Sequence, residues 1–320
     1  MCTAISSGGY CGRNLDIDKS YTQELIVTPR KKPISFKEAV TTASHYAIVG
    51  IGVVHSGYPL YFDAMNEKGV YVAALNYVGN AKYHETEGGK TNLAPYELIP
   101  YLLASCQSVR DARRELEDIV LIDTPFSPSL PLAELHFFIA DRNGSITVEP
   151  DADGLKIHDN PVGVLTNNPP FPIQMLNLNN YMGLSSAPCE NLFAPSLELK
   201  GYSHGMGALG LPGDLSSQSR FVRAAYHKLN SRDNASIGQI FRLLSTVAMP
   251  DGSVQTDYGY ERTEYSSAQD LDRLVYSYRV YDSLSAYAVR LPDEDLNASS
   301  LKSYRLKKEK EPLNSGTGTR

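Results

Sequence analysis

The 320-residue chain has no apolar run of about 18 residues, so no membrane insertion is expected. Its N-terminus has no basic stretch followed by an apolar one. No secretory signal is read there, and a cytoplasmic location is expected. There is no basic stripe, and the formal net charge is −6, which argues against a nucleic-acid partner. Cysteine is scarce: Cys2, Cys11, Cys106 and Cys189, with no C-x-x-C pair. That excludes a disulfide framework, and reduced thiols are expected. The seven histidines are scattered without ligand spacing, so no metal site is expected. Two nucleotide-binding fragments fail on inspection. Gly205-x-Gly207-x-x-Gly210 lacks a preceding strand, and Gly89-Lys90-Thr91 lacks the first glycine of a phosphate loop.

What is present is length for a sizeable core, with 42% hydrophobic residues. Gly8-Gly9 reads as a hairpin turn, and residues 24–30, 47–54 and 70–77 read as strands. A second hairpin is expected between Leu135–Asp141 and Ser145–Glu149, turning at Asn143-Gly144. Alternation from Leu274 to Tyr281 reads as a further strand. Helical spacing covers Pro95 to Ile119, broken near Ser108, and Ser217 to Met249, where Ser236 and Gln239 form a capping box. Strands and helices do not alternate regularly, so the reading is one α+β domain with mostly antiparallel pairing. The proline-rich stretches Thr124–Pro131 and Asn167–Pro172 read as irregular loops of the kind that border sites. The polar tail after Leu306 reads as disordered.

The second residue raises the functional question. Methionine is usually trimmed before a small residue, and trimming here would leave Cys2 with a free α-amine. One residue would then carry a thiol nucleophile and a base that titrates near neutral pH. If Gly8-Gly9 form a two-residue turn, Cys2 faces Leu15 and Ala4 faces Arg13. Arg13 then lies on the same face as Cys2, about 7–8 Å away across the diagonal, where a cation favours thiolate. Asp16, just beyond the pair, is placed to accept from the α-amine. A three-residue turn would put Arg13 on the opposite face. A plainer reading also fits: a buried strand cysteine beside a local Arg13–Asp16 ion pair.

Five ordered motifs bear on the choice. Cys2, G-R-N-L-D at Gly12–Asp16, M-N-E-K-G at Met65–Gly69 leading to A-L-N-Y at Ala74–Tyr77, V-L-T-N-N-P at Val164–Pro169 and G-L-P-G-D-L-S-S-Q-S-R-F at Gly210–Phe221 together resemble the choloylglycine hydrolase family. That family of N-terminal nucleophile hydrolases contains bile salt hydrolases and penicillin V acylases. The resemblance implies a four-layer αββα sandwich over residues 2–305 with Met1 removed, a homotetramer, and amide hydrolysis without metal or organic cofactor. It makes Cys2 the nucleophile and its α-amine the base. Arg13 and Asp16 match positions that stabilise the thiol and orient the amine. Asn76 and Asn167 match positions near the oxyanion and the amine, and Arg220 matches an arginine completing the polar network.

Asn76 in A-L-N-Y resembles the bile salt hydrolase form, and Leu15, His55, Phe62, Phe126 and Leu130 fall in the matching pocket loops. A large apolar lining suits a steroid face. The expected substrate is a glycine- or taurine-conjugated bile salt. The nearest rival is a penicillin V or N-acyl-homoserine-lactone acylase with the same mechanism. A non-catalytic scaffold of the same fold and a papain-like hydrolase using Cys106 or Cys189 are the other readings. Two features depart from the family: Cys11 stands where an aromatic residue is common, and the first hairpin is short.

Overall fold

A computed structural model describes residues 1–232 and 235–308. Two antiparallel sheets dominate it. The first runs in the order Val164–Leu165, Cys2–Ser7, Tyr10–Ile17, Gly259–Asp270, Val275–Val280, Tyr287–Arg290, with Val254–Thr256 added on Gly259–Asp270. The second runs Gly154–Asp159, Gly144–Asp151, Leu135–Asp141, Tyr71–Asn76, Tyr58–Asn66, Ile48–His55, Glu24–Thr28, Lys302–Arg305.

The period-2 geometry of a strand explains the layers. Leu25, Val27, Val49, Ile51, Tyr71, Ala73, Phe138 and Ala140 point toward the first sheet and join its Ala4, Leu15, Tyr265 and Tyr276. Their sequence neighbours Ile26, Ile48, Val72, Phe137 and Ile139 point the other way, onto the helices Leu98–Ser105 and Val109–Leu116. The helices Ser217–Leu229 and Ile237–Ser245 cover the outer face of the first sheet through Phe221, Ala224, Ile240 and Leu244. Strands covered on both faces read as continuous apolar runs, which is why 24–30, 47–54 and 70–77 were visible in the sequence. The order helix, sheet, sheet, helix is the αββα sandwich.

Several boundaries differ from the sequence reading. Gly144 pairs with Asp141, so the second hairpin turns at Arg142-Asn143, one residue earlier than expected. Ile119 leaves its helix and starts the short strand Ile119–Leu121. Ser108 and Ser236 cap their helices, accepting from the backbone N–H of Asp111 and Gln239 at 3.1 Å each. The Gln239 side chain donates to Ser231 instead of closing the capping box. Ser217 to Met249 holds two helices, Ser217–Leu229 and Ile237–Ser245, the second starting at the cap read from the sequence. A short helix, Phe171–Asn177, follows the proline-rich loop. The longest strand, Gly259–Asp270, was not foreseen. Of the polar tail, residues 309–320 lie outside the described residues.

Gly12 sits where the first sheet meets the Ile237–Ser245 helix. A Cβ there would run into the Ser267 carbonyl and stand 2.6 Å from Ile240 Cγ2. Replacing Gly12 with alanine is expected to lower stability by about 2 kcal/mol or more, read as a fall in the urea midpoint. Two thiols are equally enclosed. Burial pushes the Cys106 thiol up to about 12 and the Cys11 thiol higher still. At pH 7 iodoacetamide should therefore leave both unlabelled in the folded protein and label both in denaturant, as peptide mass mapping will show.

Candidate active site

The site is built on the first hairpin. Gly8 and Gly9 take φ of +54° and +83°, the left-handed conformation a tight two-residue turn requires. Ser7 pairs with Tyr10, Ala4 with Arg13 and Cys2 with Leu15. This is the two-residue register, and it puts Arg13 on the face of Cys2. The Arg13 Nη2 donates to Cys2 Sγ at 2.7 Å.

Arg13 is wholly buried. Its Nη1 donates to the carbonyls of Phe62 and Ala74, both at 2.8 Å. Phe62 is the extra residue of a β-bulge: Ile51 pairs with Asp63 and Gly52 with Tyr61, leaving Phe62 unpaired. A bulge frees a carbonyl from the ladder, and this one turns to the guanidinium.

A second buried arginine closes the opposite side. Arg220 stands in the first turn of the Ser217–Leu229 helix, where the helix dipole disfavours a cation. Local partners offset that: its Nη1 donates to the Cys2 carbonyl at 2.6 Å and to Thr3 Oγ1 at 2.7 Å, and its Nη2 donates to Asn167 Oδ1 at 2.8 Å. The same Asn167 oxygen accepts from the Cys2 backbone N–H at 2.9 Å. The Asn167 amide nitrogen donates to the Asn76 carbonyl at 2.8 Å. Asn167 thus joins Cys2, Arg220 and the end of the Tyr71–Asn76 strand. Asn76 itself is exposed at that strand end.

Asp16 stands apart from Cys2. Its Oδ1 accepts from Thr263 Oγ1 at 2.6 Å, and Oδ2 lies 3.9 Å from Arg220 Nη1 with no hydrogen-bond partner. Burial pushes its carboxyl up, against the pull of Arg220, the chain-terminal amine and Thr263. That amine belongs to Met1 here. It donates to the Asp16 backbone carbonyl at 2.5 Å and to Glu261 Oε1 at 2.9 Å.

The apolar residues divide into two groups. Leu15 faces Cys2 across the hairpin, and Phe62 adjoins Arg13 and packs on Tyr21 at 5.9 Å. His55 and Phe126 meet edge to face at 5.3 Å near Tyr58 and Tyr96, at the turn end of the hairpin that carries Phe62. Leu130 lies in the same loop as Phe126 and bridges to Ser127. From Tyr58 to Phe62 is about 13 Å of strand.

One supporting group escaped the sequence reading. Buried His136 presents Nε2 to the Thr166 carbonyl at 2.9 Å and Nδ1 to Glu149 Oε1 at 3.2 Å. A carbonyl only accepts, so Nε2 carries a hydrogen. Glu149 also accepts from the Phe171 N–H at 2.9 Å, and Tyr77 stacks on His136 at 4.4 Å. The loop holding Asn167 and the residue after Asn76 rest on this pair. Its only signal was one histidine and one glutamate inside the two strands of the second hairpin.

Chemically, two buried guanidiniums and one hydrogen-bonded asparagine surround a thiol. That is a site for a sulfur nucleophile and a developing oxyanion, with charge that does not titrate away. Among the described residues no cluster suited to a metal ion occurs.

Comparison with known proteins agrees. A bile salt hydrolase/transferase of Lactiplantibacillus plantarum is 47% identical over 317 residues, 97% of this chain and 98% of the relative. A conjugated bile acid hydrolase of Lactobacillus gasseri is 34% identical over 95% of this chain and its own whole length. The crystal structure of the C2A conjugated bile acid hydrolase from Clostridium perfringens superposes with a TM-score of 0.91 at 32% identity, over 98% of this chain and 100% of that one. Penicillin V acylase from Agrobacterium tumefaciens shares the fold, with a TM-score of 0.73 at 23% identity over 96% of this chain and 92% of that one. The profile of the linear amide C–N hydrolases matches residues 2–304, and the chain belongs to their choloylglycine hydrolase family.

Proposed function

We propose that this protein cleaves the amide bond of glycine- or taurine-conjugated bile salts, with Cys2 as nucleophile after Met1 is removed. The observation that carries this reading is the Arg13 guanidinium on Cys2 Sγ. The names of the full-length relatives support the substrate class.

In the proposed mechanism the freed α-amine of Cys2 takes the thiol proton, and sulfur attacks the amide carbonyl carbon. The carbonyl π electrons move to oxygen. Asn76, exposed at its strand end, donates to that oxyanion from its side chain. Asn167 Oδ1, held by Arg220, orients the amine, and the Asp16 carboxylate balances the charge of the resulting ammonium. Collapse breaks the C–N bond, and the ammonium returns its proton to the departing glycine or taurine nitrogen. Water, deprotonated by the same amine, then hydrolyses the thioester and frees the bile acid. Leu15 and Phe62 line the steroid near the sulfur, and His55, Phe126 and Leu130 line its far end. The roughly 13 Å between the two groups suits an elongated apolar ligand.

The same reading takes residues 2–305 as one domain. The first strand lies in one sheet, and Lys302–Arg305 pairs in the other. It places the protein in a reducing cytoplasm, in keeping with four free cysteines, and assembles it as a homotetramer. Met182, Leu192, Phe193 and Tyr202, each at least 80% exposed, offer an apolar surface for a second copy.

Glycocholate and taurocholate should be cleaved faster than penicillin V when each is incubated with the pure enzyme and the released amine or acid is quantified. Faster cleavage of penicillin V would overturn the substrate assignment. Replacing Cys2 with serine, in protein whose N-terminus is shown by mass to be processed, should lower kcat about 10³-fold or more. Replacing Asn76 with alanine should lower kcat about 10²–10³-fold with little change in KM.

A further inference from the structure

Arg13 is buried without a carboxylate in direct contact. Its hydrogen bonds end on the carbonyls of Phe62, Ala74 and Asn14 and on Cys2 Sγ. Three of these acceptors are neutral, and the fourth is anionic only as thiolate. A guanidinium taken out of water needs a balancing negative charge nearby.

Asp63 is placed to supply it. It follows Phe62 and pairs with Ala73, the residue before Ala74. The two carbonyls that grip Arg13 Nη1 therefore flank the Asp63–Ala73 pair. Ser267, the cross-strand neighbour of Arg13, donates to Asp63 Oδ2 at 2.9 Å. Tyr276 and Tyr71 donate to the same oxygen at 2.6 and 3.2 Å, and Tyr265 donates to Oδ1 at 2.6 Å. Four hydroxyl donors converge on one wholly buried side chain. A carboxylate, which only accepts, satisfies all four.

We infer that Asp63 is a positioning residue for the amide cleavage: its carboxylate shares the charge of Arg13 with Cys2 Sγ and keeps the guanidinium seated when that sulfur is neutral. The inference rests on the reading of Cys2 as nucleophile. In the proposed cycle the sulfur is anionic before attack and neutral in the thioester. Arg13 keeps one anionic neighbour throughout. The same sharing limits how strongly Arg13 favours thiolate. Burial pushes the Asp63 carboxyl up, while Arg13, Tyr265, Tyr276 and Ser267 draw it down.

The titratable groups around this pair come from five elements. Cys2 lies on the first strand, and Arg13 and Cys11 on the second. Tyr71, Tyr265 and Tyr276 come from the strands Tyr71–Asn76, Gly259–Asp270 and Val275–Val280. Arg220 and Asp16 face Cys2 from its other side, with Glu261 beyond them.

The test is the pH dependence of Cys2 alkylation by iodoacetamide, followed on the Cys2 peptide by mass spectrometry in the processed enzyme. Asp63→Asn keeps the shape and removes the charge. Its midpoint should fall by about one pH unit, a roughly tenfold gain in labelling rate well below the midpoint. Tyr276→Phe keeps the charge and strips one donor from it, so its midpoint should rise. It decides the matter alone if Asp63→Asn fails to fold. An unchanged or raised midpoint in folded Asp63→Asn, or an unchanged or lowered one in Tyr276→Phe, overturns the inference. Labelling uses no bile salt, so its outcome is separate from that of the substrate test.

Discussion

A guanidinium without access to water dictates much of what surrounds it. Arg13 can lie between the two sheets only because carbonyls are turned toward it, a thiol meets one nitrogen, and a carboxylate stands near. Those demands fall on different parts of the chain. The first hairpin must pair in the two-residue register, or the side chain would point into the helix layer. The Tyr58–Asn66 strand must bulge at Phe62 to release its carbonyl. Gly259–Asp270 must carry hydroxyls where a core strand ordinarily carries aliphatics.

That last demand explains which parts of the fold were legible. Strands such as Glu24–Thr28 and Ile48–His55, covered on both faces by apolar layers, announce themselves as hydrophobic runs. Gly259–Asp270, with the sequence GYERTEYSSAQD, is just as central and shows no such run. Thr263 serves Asp16, Ser266 serves Asn14, and Tyr265 and Ser267 serve Asp63. These four residues are buried against polar partners supplied from distant segments. Periodicity cannot reveal this, because the compensation is not local in sequence.

The candidate site shows the same division. The hairpin geometry of Cys2 and Arg13 followed from Gly8-Gly9 and strand alternation alone. Asn76, Asn167 and Arg220 came from motif resemblance, since 91 residues separate the two asparagines and no local pattern links them. His136 and Glu149 were invisible for a related reason. Nothing in the two strand sequences sets these residues apart, and only the fold shows that they face one another and hold the Thr166 carbonyl and the Phe171 N–H.

The bulge at Phe62 has an effect on sidedness as well as on Arg13. Beyond it, Asp63 and Met65 face the other sheet; before it, Tyr61 faces the helices and bonds Thr28. One extra residue thus reverses which odd-numbered side chains look inward. Removing Phe62 would do more than delete a ring. It would restore regular alternation and rotate the whole Tyr58–Tyr61 segment by half a turn, carrying the aromatic tip beside His55 and Phe126 to the opposite surface. Strand length, not side-chain identity alone, therefore decides which face of the sheet the Tyr58–Tyr61 segment presents.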